Sequence, residues 1–349
     1  MKRIFIHLNA FTLVELLVTI AIINMLIAIL LPAVLSVRET VRLGSCQNNL
    51  AKIVFATKMY EETFGVLPSG TVNETNPIRN VPMGNHIGWI PRILPFLEQS
   101  PLYSTIDFSK GVYDPENEKA WLSVAPSLFR CPSDNSGTEN IHSNYMACHE
   151  GTETPIDNNN CGVFFLNSQL RSKDIADGNS YTVWFGEATV LPLSQWQQST
   201  SAGFSCSSLG WMSGTPGTIR NTGQKVNTKP FCATWLMPFT VTGQINPAGF
   251  PYKLSDLSDN NKEENNENIT KENITKTNGV KTGGVIPATL WSTELPEQFH
   301  VGGFSSFHIG GANHAFGDGN VRLIFETIDA DLYQKLGQRN DGAAVSLDN

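Results

Sequence analysis

The feature that most constrains this chain is an apolar run near its N-terminus. Residues 11–31 read FTLVELLVTIAIINMLIAILL, with Glu15 as the one charged side chain among them. As an α-helix the run is about 32 Å long, enough to cross the hydrocarbon core of a bilayer. A cleaved secretory signal has a shorter apolar region, and a plain membrane anchor rarely carries a carboxylate inside the span. We therefore expect a membrane-spanning helix with a functional acid, and a plain anchor is the alternative.

A second helical segment continues this run beyond Pro32, with no loop-forming stretch between the two. Apolar side chains recur at steps of three and four along residues 50–64, which predicts one face packed on the rest of the protein. Gly65 and Pro68 then end the pattern. We predict one long helix over residues 11–63, bent at Pro32, with its first half in lipid and its second half on a globular domain.

The remainder, residues 65–349, predicts a β-rich globular domain outside the cytosol. Charged residues are 16% of the chain and apolar residues 40%, so there are enough apolar side chains for a core and global disorder is excluded. A short helix is predicted at 89–98 and a low-complexity loop at about 255–283. Strands are predicted at 163–166, 182–185 and 321–325, the last two after the turn triplets Asp177-Gly178-Asn179 and Asp318-Gly319-Asn320.

These elements predict four segments and one fold class. The segments are residues 1–10 as a leader, 11–32 as the transmembrane half of the helix, 33–64 as its second half, and 65–349 as the extracytoplasmic domain. The fold class is α+β, with the long N-terminal helix packed on an antiparallel β-rich domain.

Net charge and cysteine spacing argue against two classes of function. A net charge of −8 argues against a nucleic-acid-binding surface. The six cysteines show no C-x-x-C spacing, which argues against a zinc knuckle. An extracytoplasmic domain permits disulfides, and we predict a pair between Cys206 and Cys232, which flank one loop-rich insertion. Cys46, on the long helix, is expected to be buried and free.

The residues around the start of the apolar run resemble a known processing signal. A leader containing Lys2 and Arg3 ends in Ala10, and Phe11 is followed by Thr-Leu-Val-Glu. This is similar to the prepilin signal of type IV pilins and type II secretion pseudopilins. The resemblance implies that prepilin peptidase cleaves between Ala10 and Phe11 on the cytoplasmic side and methylates the new amino group of Phe11. It also implies that Pro32 matches the proline that bends pilin helices.

The same resemblance implies a location and a set of partners. The protein would be a single-pass protein of the bacterial inner membrane, with a cytoplasmic N-terminus and a periplasmic or cell-surface domain. Its partners would be prepilin peptidase and other pilin-like subunits, reached through the N-terminal helix, and no nucleic acid.

Glu15 has a physical rationale of its own. A carboxylate buried in a bundle of apolar helices needs a cationic partner, and the amino group of Phe11 on a neighbouring subunit would supply one. Such a pair would set the axial register between subunits. The alternative is that Glu15 reaches to the lipid headgroups.

A second resemblance extends over most of the remaining chain. It rests on Cys46-Gln47-Asn48-Asn49-Leu50, on Cys131-Pro132-Ser133-Asp134, on Asp177-Gly178-Asn179-Ser180 with Gly186-Glu187, and on His308 through Gly319. The same motifs occur in this order in the bacterial prepilin-type family built on domain of unknown function 1559, which ends in an H-x9-DG signature. The resemblance covers the chain to about residue 326 and implies a pilin-like anchored protein, without implying a biochemical role.

The histidines and the aspartate of this signature are weak candidates for a metal site. Imidazole and carboxylate groups are legitimate metal ligands, but His308, His314 and Asp318 are spaced as a glycine-containing loop before a strand. Oxygen-rich stretches at 157–160 and 174–177 permit a calcium ion and nothing more specific. We therefore assign no catalytic residue, no metal ligand and no cofactor, and we expect that the protein is not an enzyme.

The signature is instead expected to be structural. Gly310 and Gly311 permit positive φ, and the Asp318 carboxylate caps its own turn ahead of Gly319. His308 is expected to donate a ring N–H that holds the loop.

Three functions from different classes follow from the sequence. The first is a structural subunit or pseudopilin of a filament or type II secretion-type apparatus. The second is a membrane-tethered module that binds a glycan or a surface partner and borrows the pilin leader. The third, and weakest, is an envelope hydrolase with a metal at His308.

Overall fold

The computed structural model describes residues 13–80, 82–134, 141–189, 209–228 and 300–343. Its helices are α1 (Leu13–Phe64), α2 (Trp89–Ile93), α3 (Ser100–Tyr103), α4 (Glu118–Trp121) and α5 (Ala330–Leu336). Its strands are β1 (Thr71–Val72), β2 (Ile87–Gly88), β3 (Tyr145–Glu150), β4 (Val183–Glu187), β5 (Ile219–Asn221), β6 (Gly311–Phe316) and β7 (Val321–Phe325). The predicted α+β class is confirmed.

The long helix α1 has two halves with different surroundings. Pro32 lies inside it, and the helix continues on both sides. The large apolar side chains of the first half are exposed, whereas Cys46, Leu50 and Ile53 in the second half are fully buried. The buried half packs on β4, β6 and β7 of the main sheet and on α2. The same helix is therefore both an exposed apolar rod and part of the domain core.

The main sheet has five strands in the order β5-β3-β4-β6-β7. Strands β3, β4, β6 and β7 pair antiparallel, and β5 runs parallel to β3. Fully buried aromatic rings fill the space between this sheet, α1 and α2, among them Trp89, Phe164 and Phe185. The second half of α1 consequently lies against β4 and β6.

The predicted short helix at 89–98 is present as α2 followed by a 3-10 turn over Leu94–Leu97. The strands predicted at 182–185 and 321–325 correspond to β4 and β7. The turn at 318–320 closes the hairpin of β6 and β7, where Phe316 N donates to Asn320 O at 2.9 Å. The turn at 177–179 also precedes a strand, but β4 pairs with β3 and β6 and forms no tight hairpin there.

The prediction of a strand at 163–166 is wrong. Val163, Phe164 and Leu166 are buried, yet the amide groups of Val163 and Phe164 both donate to Cys148 O, at 3.2 and 2.9 Å. Leu166 forms an isolated bridge with Thr71. A short apolar run indicates burial, and it does not distinguish a strand from an irregular segment laid across the core.

Candidate functional site

Four chemically active side chains meet where α1 crosses the sheet. They are Cys46 of α1, Cys131 in a turn, Glu187 at the end of β4 and His308 before β6, and we call them the Cys-Glu-His cluster. One ligand-type atom from each lies within 4.8 Å of all the others. Their exposure ranges from 0% for Cys46 to 5% for His308. The cluster is therefore enclosed by protein and joins α1 to the C-terminal signature.

His308 lies between two carboxylates and a sulfur atom. Its Nδ1 is 2.7 Å from Glu39 Oε1, and its Nε2 is 3.6 Å from Glu187 Oε1 and 3.5 Å from Cys131 Sγ. Burial alone would lower the pKa of His308, but the hydrogen bond with Cys131 and the carboxylates of Glu187 and Glu39 together raise it to about 9. The ring is thus held as an imidazolium at neutral pH.

Glu187 is fixed by donors from the loop before β6 and from β6 itself. Its Oε2 accepts from Asn313 N at 2.9 Å and from Ser306 Oγ at 2.7 Å, and its Oε1 accepts from Asn313 Nδ2 at 3.0 Å. Asn313 Oδ1 in turn accepts from Gln47 Nε2 of α1 at 3.1 Å. The carboxylate is 2% exposed, and these hydrogen bonds together with nearby His308 offset the cost of burying it.

Glu39 forms the outer side of the same network. It lies on α1, its side chain is 39% exposed, and it also accepts from Ser133 Oγ at 3.1 Å. Partial burial works to raise the pKa of Glu39, but the hydrogen bonds from His308 and Ser133 lower it overall. The Glu39–His308 contact therefore ties α1 directly to the C-terminal signature.

The two cysteines of the cluster lie in contact. Cys46 Sγ and Cys131 Sγ are 2.6 Å apart, and both thiols are free in the structure. The hydrogen bond from Cys46 lowers the pKa of Cys131 to about 6, aided by His308 and opposed by burial, and the pKa of Cys46 is raised. The expectation that Cys46 is buried and free omitted its contact with Cys131, a residue 85 positions away.

The distance between the two Sγ atoms determines whether both cysteines can bind one metal ion in their present positions. Two thiolates on one tetrahedral zinc, with Zn–S bonds of about 2.3 Å, lie about 3.8 Å apart. The observed 2.6 Å is too short for that arrangement, so a shared metal would require the sulfurs to separate. A cysteine beside a histidine is also the pair used in nucleophilic catalysis, and here Cys131 is 4% exposed.

The other residues of the C-terminal signature are not part of the cluster. His314 lies on β6 and not in a loop, because β6 begins at Gly311. Its Nε2 contacts Tyr333 OH at 2.8 Å and its Nδ1 contacts Ala312 O at 2.9 Å. Burial lowers the pKa of His314 to about 4, so the ring is neutral. The Asp318 carboxylate accepts from Asn320 N at 2.8 Å, in its own turn.

Two details of the signature differ from expectation. His308 contacts Glu39 of α1, so it holds the loop to another element and not to itself. Gly310 has φ +86°, as expected, but Gly311 does not have a positive φ. A Cβ at Gly311 would lie 2.3 Å from Ile324 O, so this glycine is required by close packing of β6 on β7.

The remaining predicted residues lie on α1 or outside the described residues. Glu15 and Pro32 are exposed on the first half of α1. Ala10, Phe11, Cys206 and Cys232 lie outside the described residues. The oxygens considered for calcium accept protein donors: Asp157 Oδ1 accepts from Asn76 Nδ2 at 3.0 Å, and Asp177 accepts from the backbone amides of residues 341 and 342.

Sequence reasoning missed the roles of Glu39 and Glu187 and the meeting of the two cysteines. A signal was nevertheless present. The motifs C-Q-N-N-L, C-P-S-D, G-E and H-x9-DG each contribute one member of the cluster, namely Cys46, Cys131, Glu187 and His308. The four sequence segments that carry the second resemblance therefore meet at one point in the fold.

Comparison with known proteins identifies the family of this chain. A family model described as a protein of unknown function (DUF1559) matches residues 35–331. No curated protein matches the chain. No solved structure matches it either. The match spans most of the chain, from the second half of α1 into α5, and therefore includes all four members of the Cys-Glu-His cluster: this chain belongs to the DUF1559 family.

Proposed function

We propose that this protein is a membrane-anchored, pilin-like structural subunit that assembles with other subunits through the first half of α1. In this proposal prepilin peptidase cleaves between Ala10 and Phe11 and methylates Phe11. The N-terminus faces the cytoplasm, and the globular domain lies in the periplasm or at the cell surface.

The observation that carries the proposal is the continuity of α1. One helix of 52 residues begins in the apolar segment, and its second half contributes Cys46, Leu50 and Ile53 to the core of the domain. A tethered binding module needs only a flexible linker between its anchor and its domain. A subunit that must transmit a fixed orientation from a helical bundle to its outer domain needs a rigid connection of this kind.

The surface of the first half of α1 supports the same conclusion. From Leu13 to Leu31 it exposes 14 large apolar side chains, with Leu13 78% and Met25 68% exposed. Burying one such side chain is worth about 1.5–3 kcal/mol, so this segment is stable only against lipid or other apolar helices. By length and composition it is able to cross a membrane, and none of its side chains is buried by the domain.

Glu15 supplies the means of selecting helices over lipid. It lies in the first turn of α1, on the exposed part of the helix. After processing, the amino group of Phe11 on a neighbouring subunit would be within one turn of this carboxylate when the helices are staggered by a few residues. A buried pair of this kind fixes register, which is the best-supported use of buried ionic groups.

The first experiment determines the N-terminus of the protein purified from membranes. Peptide mass spectrometry should find N-methylated Phe11 as the first residue. An intact Met1 would contradict processing and leave a plain anchor.

The second experiment separates assembly from anchoring. Glu15→Ala should insert at least as well as the wild type, because it deletes the charge in the span. It should lose sheared or cross-linked multimers, because breaking a buried pair from one side typically costs about 3–5 kcal/mol. Glu62→Ala, an exposed glutamate near the other end of the same helix, is the matched control and should assemble normally. Multimers that survive in Glu15→Ala would refute assembly through this pair and favour the tethered binding module.

A further inference from the structure

The contact between Cys46 and Cys131 is the feature of the cluster that the proposed function does not use. At 2.6 Å the sulfur atoms are nearer to the disulfide bond length of about 2.05 Å than to the separation they would have on a shared metal. Forming the bond requires a shift of roughly half an ångström. Binding a metal requires a larger movement in the opposite direction.

The backbones that carry the two sulfurs are held in place independently. Cys46 lies within α1, one turn before the fully buried Leu50. Cys131 N donates to Asn144 Oδ1 at 2.9 Å, and Cys131 O accepts from Asp134 N at 2.9 Å. The contact between the sulfurs is therefore set by the fold of both segments and not by one mobile side chain.

We propose that Cys46 and Cys131 form a disulfide bond that fastens the second half of α1 to the globular domain. The oxidant is the disulfide of an extracytoplasmic thiol–disulfide oxidoreductase. The proposal rests on the proposed function in one respect, because it requires the domain to lie outside the cytoplasm, where such donors act.

The reaction is an ordinary exchange in two steps. The Cys131 thiolate attacks one sulfur of the donor disulfide, which forms a mixed disulfide and releases one donor thiolate. The Cys46 thiol then loses its proton and attacks Cys131 Sγ, which releases the second donor thiolate. Two cysteine thiols are oxidised, one donor disulfide is reduced to two thiols, and no other reactant is needed.

Burial fixes the order of events. Cys46 is 0% and Cys131 4% exposed once α1 is docked, so a protein-sized donor has no access to the folded site. Exchange must therefore take place before or during docking of α1. Afterwards the same burial protects the bond from reductants in the folded protein.

The bond would bear directly on assembly. Position 46 follows the membrane-spanning half of α1, and position 131 belongs to the globular domain. A covalent link at this point carries tension from the helical bundle to the domain without relying on the packing of α1 alone.

The test uses the full chain purified in detergent from a bacterial host, with thiols trapped by acid and alkylated under denaturing conditions. Trypsin should give peptide 43–52, which contains Cys46, linked to peptide 131–171. The latter also contains Cys148 and Cys161, so a second cleavage after acidic residues assigns the link to Cys131. In the folded protein the link should resist a reductant added before digestion. When denaturant is added together with the reductant, the link should be broken and the two peptides should be found separately.

Two variants and two controls complete the experiment. Cys46→Ser and Cys131→Ser should each lose the link, and Cys148→Ser and Cys161→Ser should retain it.

Free thiols at both Cys46 and Cys131 in the wild-type protein, with the domain accessible to protease from outside the cytoplasm, would overturn the disulfide and leave the proposed function standing. Free thiols that bind zinc stoichiometrically would replace it by a metal site. Linked peptides in a protein that forms no multimers would support the disulfide and count against the filament.

Discussion

Replacing Glu187 with alanine tests the buried network at the crossing of α1 and the sheet. Three donor groups, Asn313 N, Asn313 Nδ2 and Ser306 Oγ, would lose their acceptor, and the His308 imidazolium would lose one of its neighbouring carboxylates while keeping Glu39. Leaving one buried polar group unpaired costs about 1–3 kcal/mol. Removing one partner of a buried charge pair costs about 3–5 kcal/mol.

These losses overlap, because they concern one carboxylate and its neighbours, so we do not add them. We expect Glu187→Ala to lower the free energy of unfolding by about 3–5 kcal/mol. In a domain of this size that corresponds to a decrease in thermal midpoint of roughly 6–20 °C. Glu187→Gln, which retains an acceptor oxygen but not the charge, should fall between Glu187→Ala and the wild type.

The assay is thermal unfolding of the full chain in detergent at pH 7, followed by tryptophan fluorescence. The chain has seven tryptophans, of which Trp89, Trp121, Trp184 and Trp211 are fully buried, so the signal reports the core. Glu326→Ala, an exposed glutamate that follows β7, is the control and should change the midpoint little. If Glu187→Ala unfolds at the same temperature as this control, the network does not stabilise the docking of α1 and the reasoning is refuted.

Two further predictions concern the C-terminal signature. With Cys131 as a free thiol, in protein kept reduced, the pKa of His308 is raised from 6.5 to about 9, so its proton stabilises the folded state fully below pH 6.5. That stability, at most about 3 kcal/mol, is lost as the pH rises through 9, so the thermal midpoint should fall between pH 7 and 9.5. His308→Ala should have a lower midpoint at pH 7 and lack this part of the slope; an equal slope in the variant would contradict the assignment. Gly311→Ala should destabilise the β6–β7 hairpin strongly, because the added Cβ would collide with backbone atoms. In Gly310→Ala the added Cβ has no atom within 4 Å, so the only cost is the strain of a positive φ, about 1–3 kcal/mol. Equal midpoints for the two glycine variants would refute the packing argument.

Local patterns carried the prediction of the long helix and of the final hairpin. The apolar run, Pro32 and the stripe from Leu50 to Phe64 depend on residues three or four positions apart, and α1 follows them to its end at Phe64. The hairpin at 316–321 likewise depends on the preference of Asp318-Gly319 for a tight turn. The prediction of a strand at 163–166 was wrong because the apolar side chains of this segment pack in the core while its backbone forms irregular hydrogen bonds.

The Cys-Glu-His cluster could not be predicted from local patterns, because its members are far apart in the sequence. Its members lie at positions 46, 131, 187 and 308, and the ion pair of Glu39 with His308 joins residues 269 positions apart. Spacing along the chain carries no information about such contacts. The sequence alone suggested His308 with His314 and Asp318, which are near in sequence and have separate partners in the fold.

The sequence by itself therefore determined that this chain has an apolar N-terminal helix followed by an α+β domain, because helix periodicity and turn preference are properties of neighbouring residues. Only the tertiary structure decided that His308 is a cation between Glu39 and Glu187, and that Cys46 meets Cys131. Each of these depends on how a helix packs across a sheet whose strands come from distant parts of the chain. The charge state of His308 in particular follows from burial and from neighbours that the fold alone brings within 4 Å.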